Sequence, residues 1–304
     1  MNILAVDVAK DSLVVFDGKA VSQTENNRSD IRKLLRAREG WTVVMEPTGR
    51  YHYELLEQCV SLGLRVYLVN PRESRNYKDS MSFRAKTDAL DARYLHDFIE
   101  RNTDRLRAYV PPPKEVSELR LLLGKRQLLV KNRTALVSSF GKHLSDKEQA
   151  VVAATNEAIQ DLEGQMHEIA RQFEVYELLK SIPGVGNIVA CALLYALKSR
   201  SFDSPESFIA FFGLDVRIRQ SGKYRGLEKL TKRGDPVLRW LACSAGHSLL
   251  NSRFGKSKCQ ELKLKGRPHA ARMAVAGRKI LKTAFIIDSR NTLFDPSRWT
   301  WTST

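Results

Sequence analysis

The stretch Lys86-Thr87-Asp88-Ala89-Leu90-Asp91-Ala92-Arg93-Tyr94-Leu95 decides how the first third of this chain is read. Its pattern predicts a helix starting near Thr87 or Asp88, with Leu90, Tyr94 and Leu95 facing inward. Asp88 and Asp91 are three positions apart, so on that helix they point the same way, one turn above the other. Two converging carboxylates hold a hard divalent cation, or repel until something cationic neutralises them. The plain alternative is capping, with Asp88 as N-cap and Asp91 as its N3 partner, both favoured by the helix dipole. The spacing alone leaves the two readings level. The acids near strand ends tip the balance.

Asn2-Ile3-Leu4-Ala5-Val6-Asp7 reads as a buried strand ending in an acid. Residues 11–18 read as a second strand closing on a turn, and residues 20–24 as a third. Helical spacing follows over 30–38. Trp41-Thr42-Val43-Val44-Met45-Glu46 is a further strand that ends in an acid and stops at Pro47-Thr48-Gly49. An amphipathic helix over 51–62 leads to a fifth strand, 64–69, ended by Asn70-Pro71. Three hairpin-like strands, then helix, strand, helix, strand, helix, is the layout of a ribonuclease-H-like α/β sheet. In that layout the first and fourth strands are neighbours and the last helix packs beside them. Asp7, Glu46, Asp88 and Asp91 are then expected to form one cluster. Four carboxylates need a counter-charge, which Mg²⁺ (or Mn²⁺) supplies along with phosphoryl-transfer chemistry.

The whole composition points the same way. The chain has 304 residues, 50 Lys plus Arg against 34 Asp plus Glu, and a formal charge of +16. A surplus of that size, in basic runs broken by glycines and aromatics, points to a nucleic-acid partner over a merely solvated surface. Cys59, Cys191, Cys243 and Cys259 lack metal-ligand or disulfide-framework spacing. No apolar run reaches membrane-spanning length and no signal-peptide pattern opens the sequence, so the expectation is a cytoplasmic protein, nucleoid-associated when on DNA.

Pro111-Pro112-Pro113 breaks the chain. Residues from 115 to about 179 then read as two long helices with a break between Gly141 and Asp146, either an intramolecular hairpin or an intersubunit coiled coil. Lys125, Arg126, Lys131, Arg133 and Lys142 give the first of them a basic side. Ile182-Pro183-Gly184-Val185-Gly186 resembles the turn of a helix-hairpin-helix element, whose glycines let backbone N–H groups approach a phosphate; an ordinary tight helix–helix turn is the alternative. From Arg217 to Arg233 there are seven basic residues and one acid, Glu228, with Ser221 beside Gly222. A serine on such a loop can have its alkoxide stabilised and a phosphodiester held for attack, and no His–Asp partner is evident nearby. Past it, Arg253 to Lys282 holds ten basic residues and one acid, on what reads as the outer face of a helical bundle.

Taken together, "AVDVAKDSL", "VMEPTGRY", "AKTDALDARYL", "IPGVGNIVA" and "RQSGKYRG…LTKRGDPVLR" resemble the DEDD recombinases. These are the Piv/MooV DNA invertases and the IS-one-ten insertion-sequence transposases. The resemblance covers residues 1–101 and about 178–285. It implies a RuvC-like N-terminal domain whose four acids bind Mg²⁺, and a C-terminal transposase domain whose serine, here Ser221, links covalently to DNA. It implies homodimers or homotetramers, and for several relatives a structured bridge RNA that chooses target and donor DNA. This chain has one serine before Gly222 where relatives often have two, and a short span between Asp7 and Glu46.

The expected organisation is a RuvC-like catalytic domain over 1–110, a helical coiled-coil region over 111–177, a mainly helical transposase domain with the helix-hairpin-helix-like element over 178–290, and a tail over 291–304. Catalytic candidates are Asp7, Glu46, Asp88, Asp91 and Ser221. Nucleic-acid candidates are Lys10, Arg84, Lys86, Gly184, Gly186, Arg217, Arg219, Lys223, Arg225, Lys232 and Arg233. The expected activity is DNA cleavage and rejoining. A site-specific invertase without RNA guide and a RuvC-like nuclease that needs no Ser221 are the alternatives. A sugar kinase or actin-like ATPase is disfavoured, since no glycine follows Asp7 until Gly18.

Overall fold

The computed structural model describes residues 2–81, 87–217, 220–221, 224–225 and 229–301. The chain divides into two compact units, Met1–Pro111 and Pro112–Thr304.

The first unit runs β1 (Ile3–Val8), β2 (Ser12–Phe16), β3 (Val21–Glu25), α1 (Arg28–Arg36), β4 (Thr42–Met45), α2 (Tyr53–Ser61), β5 (Arg65–Leu68), α3 (Pro71–Ser80) and α4 (Asp88–Asn102). Its sheet order is β3-β2-β1-β4-β5, with β1–β2 and β2–β3 antiparallel, β1–β4 and β4–β5 parallel. The unit is mixed α/β with helices on both faces. Alternation along β1 explains why. Leu4, Val6 and Val8 go to one face with Met45, Leu35 and Leu55. Ile3 and Ala5 go to the other with Val44, Leu95, Phe98 and Ile99. Burying Leu95, Phe98 and Ile99 contributes roughly 2 kcal/mol each and fixes α4 on that second face.

Two details depart from the sequence reading. The sequence pattern predicts no helix at α3: Asn70-Pro71 reads as a strand terminator, yet Asn70 caps a helix, its side chain accepting from the Arg72 N–H at 2.9 Å with Pro71 opening the first turn. The buried side of α4 is Ala92, Leu95, Phe98 and Ile99, while Leu90 and Tyr94 are only half-buried.

The second unit is mainly helical. α5 (Lys114–Phe140) and α6 (Asp146–Ala170) are joined by a short 3₁₀ turn over Gly141–His143, and α6 opens with a Ser145–Glu148 capping box. The two helices pair with each other inside one chain. Arg126 donates to Glu163 at 2.6 Å and Arg133 to Asn156 at 2.8 Å across the pair. α7 (Val175–Lys180), α8 (Asn187–Ser199) and α9 (Pro205–Phe211) follow. Next, among the described residues, come the short strands β6 (Val216–Arg217), β7 (Gln220–Ser221), β8 (Tyr224–Arg225) and β9 (Lys229–Leu230). α10 (Pro236–Asn251), α11 (Lys256–Leu264) and α12 (His269–Arg290) complete the unit. α8 is buried nearly all round and centres a core shared with α5, α10 and α12. The tail is tied down: the Trp301 Nε1–H donates to the Phe254 carbonyl at 2.7 Å, and Trp299 packs edge-on against Phe254, Phe294 and Trp301. Among the described residues no helix is long and apolar enough to cross a membrane.

Candidate active site

In the first unit, strand parity brings the acids together. Asp7 is two positions beyond Ala5 and Glu46 two beyond Val44, so both continue the α4 face of the sheet. The parallel register pairs Val6 with Met45, which sets Asp7 and Glu46 side by side at the same end of β1 and β4. Asp7 lies one residue before the end of β1 and Glu46 just beyond β4. On α4, Asp88 and Asp91 extend the stripe that continues as Leu95 and Phe98, at the end of the helix that meets those strand ends.

The capping alternative for this pair fails on the geometry. Thr87 is the N-cap, extended at φ −144°, and its hydroxyl accepts from the Leu90 N–H at 3.3 Å. Asp88 and Asp91 are thereby released from capping.

Electrostatics register the convergence. The Asp7 carboxyl is pushed up to about 6, first by burial, then by the negative charges of Asp91 and Asp88, with Glu46 adding less and Lys78 opposing. The Lys78 ammonium on α3 meets Asp91 at 2.9 Å, both largely shielded from water. A second link, from the Tyr77 hydroxyl to Asp97, and an edge-on Tyr77–Phe98 contact hold α3 against α4. Among the described residues, Lys78 is the cation paired with this carboxylate group.

As a donor set, four carboxylates suit a hard divalent ion. Among the described residues, however, no three carboxylate, imidazole or thiol groups stand close enough to form a finished ligand shell. Charge coupling reaches across several ångströms, whereas ligation needs contact, and Lys78 engages one of the four.

Two further residues shape the site without a sequence signal. The Asn26 amide donates to the Ala9 carbonyl at 2.8 Å and the Tyr51 carbonyl at 3.0 Å, tying the loop after Asp7 to the loop after Glu46. His52 is buried against Tyr53; burial lowers its imidazole pKa, partly offset by the nearby backbone of Thr48 and Gly49. Lys10 is exposed beyond β1, and Arg84 and Lys86 lie outside the described residues.

In the second unit, Ser221 pairs with Tyr224 and Gln220 with Arg225, so Ser221 sits at the tip of an antiparallel two-stranded ladder. β6 pairs with β9 in a second ladder, Val216 with Leu230 and Arg217 with Lys229. Arg219 and Lys223 lie outside the described residues, and Arg217 and Arg225 are placed by these pairings alone.

The neck of this arm is firmly built. Asp215 and Thr231 are joined by side-chain and backbone hydrogen bonds. A Cβ at Gly234 would lie 2.1 Å from the Phe211 carbonyl, so only glycine lets the two arms of the neck close. Asp235 then caps α10, accepting from the Val237 N–H at 2.7 Å, and is ion-paired to Arg120 of α5. Lys232, in left-handed backbone at φ 54°, and Arg233 are both exposed at the neck.

The two glycines of the α7–α8 turn differ. Gly184 has φ +89°, and a Cβ there would lie 2.7 Å from the Ala245 carbonyl and 2.8 Å from the Leu249 N. Its glycine is required by packing on α10. Gly186, the N-cap of α8, faces open space.

Comparison with known proteins bears on both units. Residues 4–147 match the DEDD transposase family model of the IS110 group, and residues 176–260 match the model described as "Transposase IS116/IS110/IS902 family". The transposase for insertion sequence element IS1111A of Coxiella burnetii is 25% identical over 306 residues, covering 87% of this chain and 82% of that protein. A probable family 20 transposase of Pseudomonas aeruginosa is 25% identical over 348 residues, covering 97% of this chain and 100% of that protein. The pilin gene-inverting protein of Moraxella bovis is 29% identical over 196 residues, 59% of this chain and 58% of that one. Two models of one group thus account for most of the chain on both sides of its proline break: the protein belongs to the IS110 family of transposases and DNA invertases, enzymes of DNA recombination.

Proposed function

We propose that the first unit is a RuvC-like, ribonuclease-H-like catalytic domain in which Asp7, Glu46, Asp88 and Asp91 bind Mg²⁺ or Mn²⁺, and that Ser221 is the nucleophile of DNA strand exchange. The observation that carries the reading is the strand register that sets Asp7 beside Glu46 on the face that α4 covers, where burial first, and then the charges of Asp91, Asp88 and Glu46, push the Asp7 carboxyl up to about 6. A carboxyl perturbed by burial together with specific charged neighbours marks a functional-site candidate. A bound divalent ion would lower the pKa of the attacking oxygen and neutralise charge on the leaving one.

The chain's own groups do the rest. The Ser221 hydroxyl attacks the scissile phosphorus and gives up its proton to a carboxylate or to solvent. The bridging P–O bond breaks, and that oxygen leaves protonated, as a free strand-end hydroxyl. The other strand end stays esterified to the serine. Attack by a new strand's hydroxyl reverses these steps and frees Ser221, so sealing needs no external energy source. The basic residues Lys10, Arg84, Lys86, Arg217, Arg219, Lys223, Arg225, Lys232 and Arg233, with the open turn at Gly186, hold the phosphate backbone. A homodimer or homotetramer brings two DNA sites together, and a structured bridge RNA selects them. Inversion guided by protein contacts alone is the second reading, favoured by the Moraxella relative.

The test is recombination by Asp7→Ala, Glu46→Ala and Asp91→Ala variants in Mg²⁺. Loss of strand exchange with DNA binding retained supports the reading. Wild-type rates in all three would remove the acids from the mechanism.

A further inference from the structure

α5, α6 and α10 line a half-open cleft of 610 Å³ on the second unit. Pockets of roughly 300–1,000 Å³ are the size that takes a nucleotide-sized ligand. Val130 and Ile159 give it apolar surface, and Arg126, Arg133, Asn156 and Gln160 give it hydrogen-bonding edges. Its third side is Trp240, whose indole is 46% exposed in a unit that buries most of its other large side chains.

Charge narrows the choice of occupant. Arg126 is matched by Glu163 at 2.6 Å. Arg133 is held at 2.8 Å by Asn156, a neutral amide, which leaves its positive charge uncancelled there. Lys125 and Lys131 stand exposed on the same helix. An apolar partner helix seated here would bury the Arg133 charge without compensation, a costly arrangement. A flat heterocycle carrying a phosphate would satisfy every wall: a π-face for Trp240, amides for the base edge, and an anion for Arg133. We infer that this cleft binds one unpaired nucleotide of a single-stranded nucleic acid, its base stacked on Trp240 and its phosphate on Arg133. Neither the four acids nor Ser221 is among its lining residues, and it needs no metal.

The experiment uses the full-length protein in EDTA with short fluorescent oligonucleotides: single-stranded DNA, single-stranded RNA and duplex DNA. Trp240→Ala should weaken single-strand binding roughly five- to a hundredfold and leave duplex binding unchanged, while Trp240→Phe keeps most of the affinity. Arg133→Gln should reduce the log–log salt slope for single strands by about 0.7. Single strands carrying 5-iodouracil should crosslink to the peptide containing Trp240. The DNA and RNA arms tell which strand is the natural occupant, and tighter binding of either, lost in Trp240→Ala, supports the site. Equal loss for single strands and duplex, unchanged single-strand affinity, or crosslinks confined to other peptides would each overturn it. So would a changed oligomeric state of Trp240→Ala with unaltered oligonucleotide binding, which would make the cleft a contact between copies. Because metal is absent throughout, these outcomes are independent of the carboxylate reading.

Discussion

Replacing Asp7 with asparagine should make the metal-free first unit more stable at neutral pH, although it removes a proposed ligand. The Asp7 carboxyl rises from 3.8 to about 6, chiefly through burial and then through Asp91 and Asp88. A rise of that size corresponds to about 3 kcal/mol of disfavoured ionisation. Water reaching part of the site trims the expected gain to about 1.5–3 kcal/mol. The folded value lies above the unfolded one, so the folded state holds the proton more tightly between them. The Asp7 contribution to stability is therefore most favourable below pH 4, falls as pH rises towards 6, and stays low above that. Asparagine carries no charge at any pH, so the variant's advantage should be full at pH 8, smaller below 6 and gone near 4. Cys59 offers a direct probe, being fully buried in this unit and the only cysteine among residues 1–111. In EDTA at pH 8, native-state thiol labelling of Cys59, located by peptide mass spectrometry, should be roughly 10- to 100-fold slower in Asp7→Asn than in wild type. Divalent metal should slow labelling in wild type and have little effect in the variant. Faster labelling of Asp7→Asn at pH 8 would refute the convergence argument.

Other outcomes follow from single contacts. Lys78→Gln removes the ammonium that meets Asp91 at 2.9 Å, so Mn²⁺ should bind roughly three- to thirtyfold more tightly by calorimetry while the metal-free unit loses stability. Gly184→Ala forces a Cβ into the α10 backbone at φ +89° and should cost the second unit about 2–4 kcal/mol in urea unfolding, with the carboxylate unit unaffected. Lys232→Gln and Arg233→Gln, both exposed at the neck of the serine arm, should each lower the log–log salt slope for duplex DNA by about 0.9; an unchanged slope would exclude them from phosphate contact.

Much of the carboxylate site was legible because two periodicities carry it. Alternation along β1 and β4 runs on to Asp7 and Glu46, and the i, i+3 step on α4 carries the Leu95–Phe98 stripe back to half-buried Asp91 and exposed Asp88. What escaped notice lacked such a pattern. α3 is polar along its length and has only Ser74 buried, so hydrophobic spacing could not reveal it or Lys78. Its start signal, Asn70-Pro71, also ends strands. Asn26 acts through two loops distant in sequence, and no local rule finds it. Thr87 was within the quoted stretch, but capping residues and metal ligands share an alphabet, and only backbone geometry separated them. Gly184 carries a second demand that its motif does not show, since it makes room for α10. Trp240 sits in a helix whose pattern is ordinary, and its exposure beside two arginines exists only once α5 and α6 pair.

The most direct test of the central claim is to trap Ser221 on DNA. Wild-type protein, end-labelled substrate and Mg²⁺ or Mn²⁺ are quenched in denaturant, resolved by electrophoresis, and the DNA-linked peptide is mapped. A protein–DNA band whose phosphoester maps to Ser221 is expected, absent in Ser221→Ala and in Asp91→Ala. Free cut ends accumulating with Ser221→Ala as with wild type, and no protein-linked DNA, would show that water and not Ser221 attacks the strand.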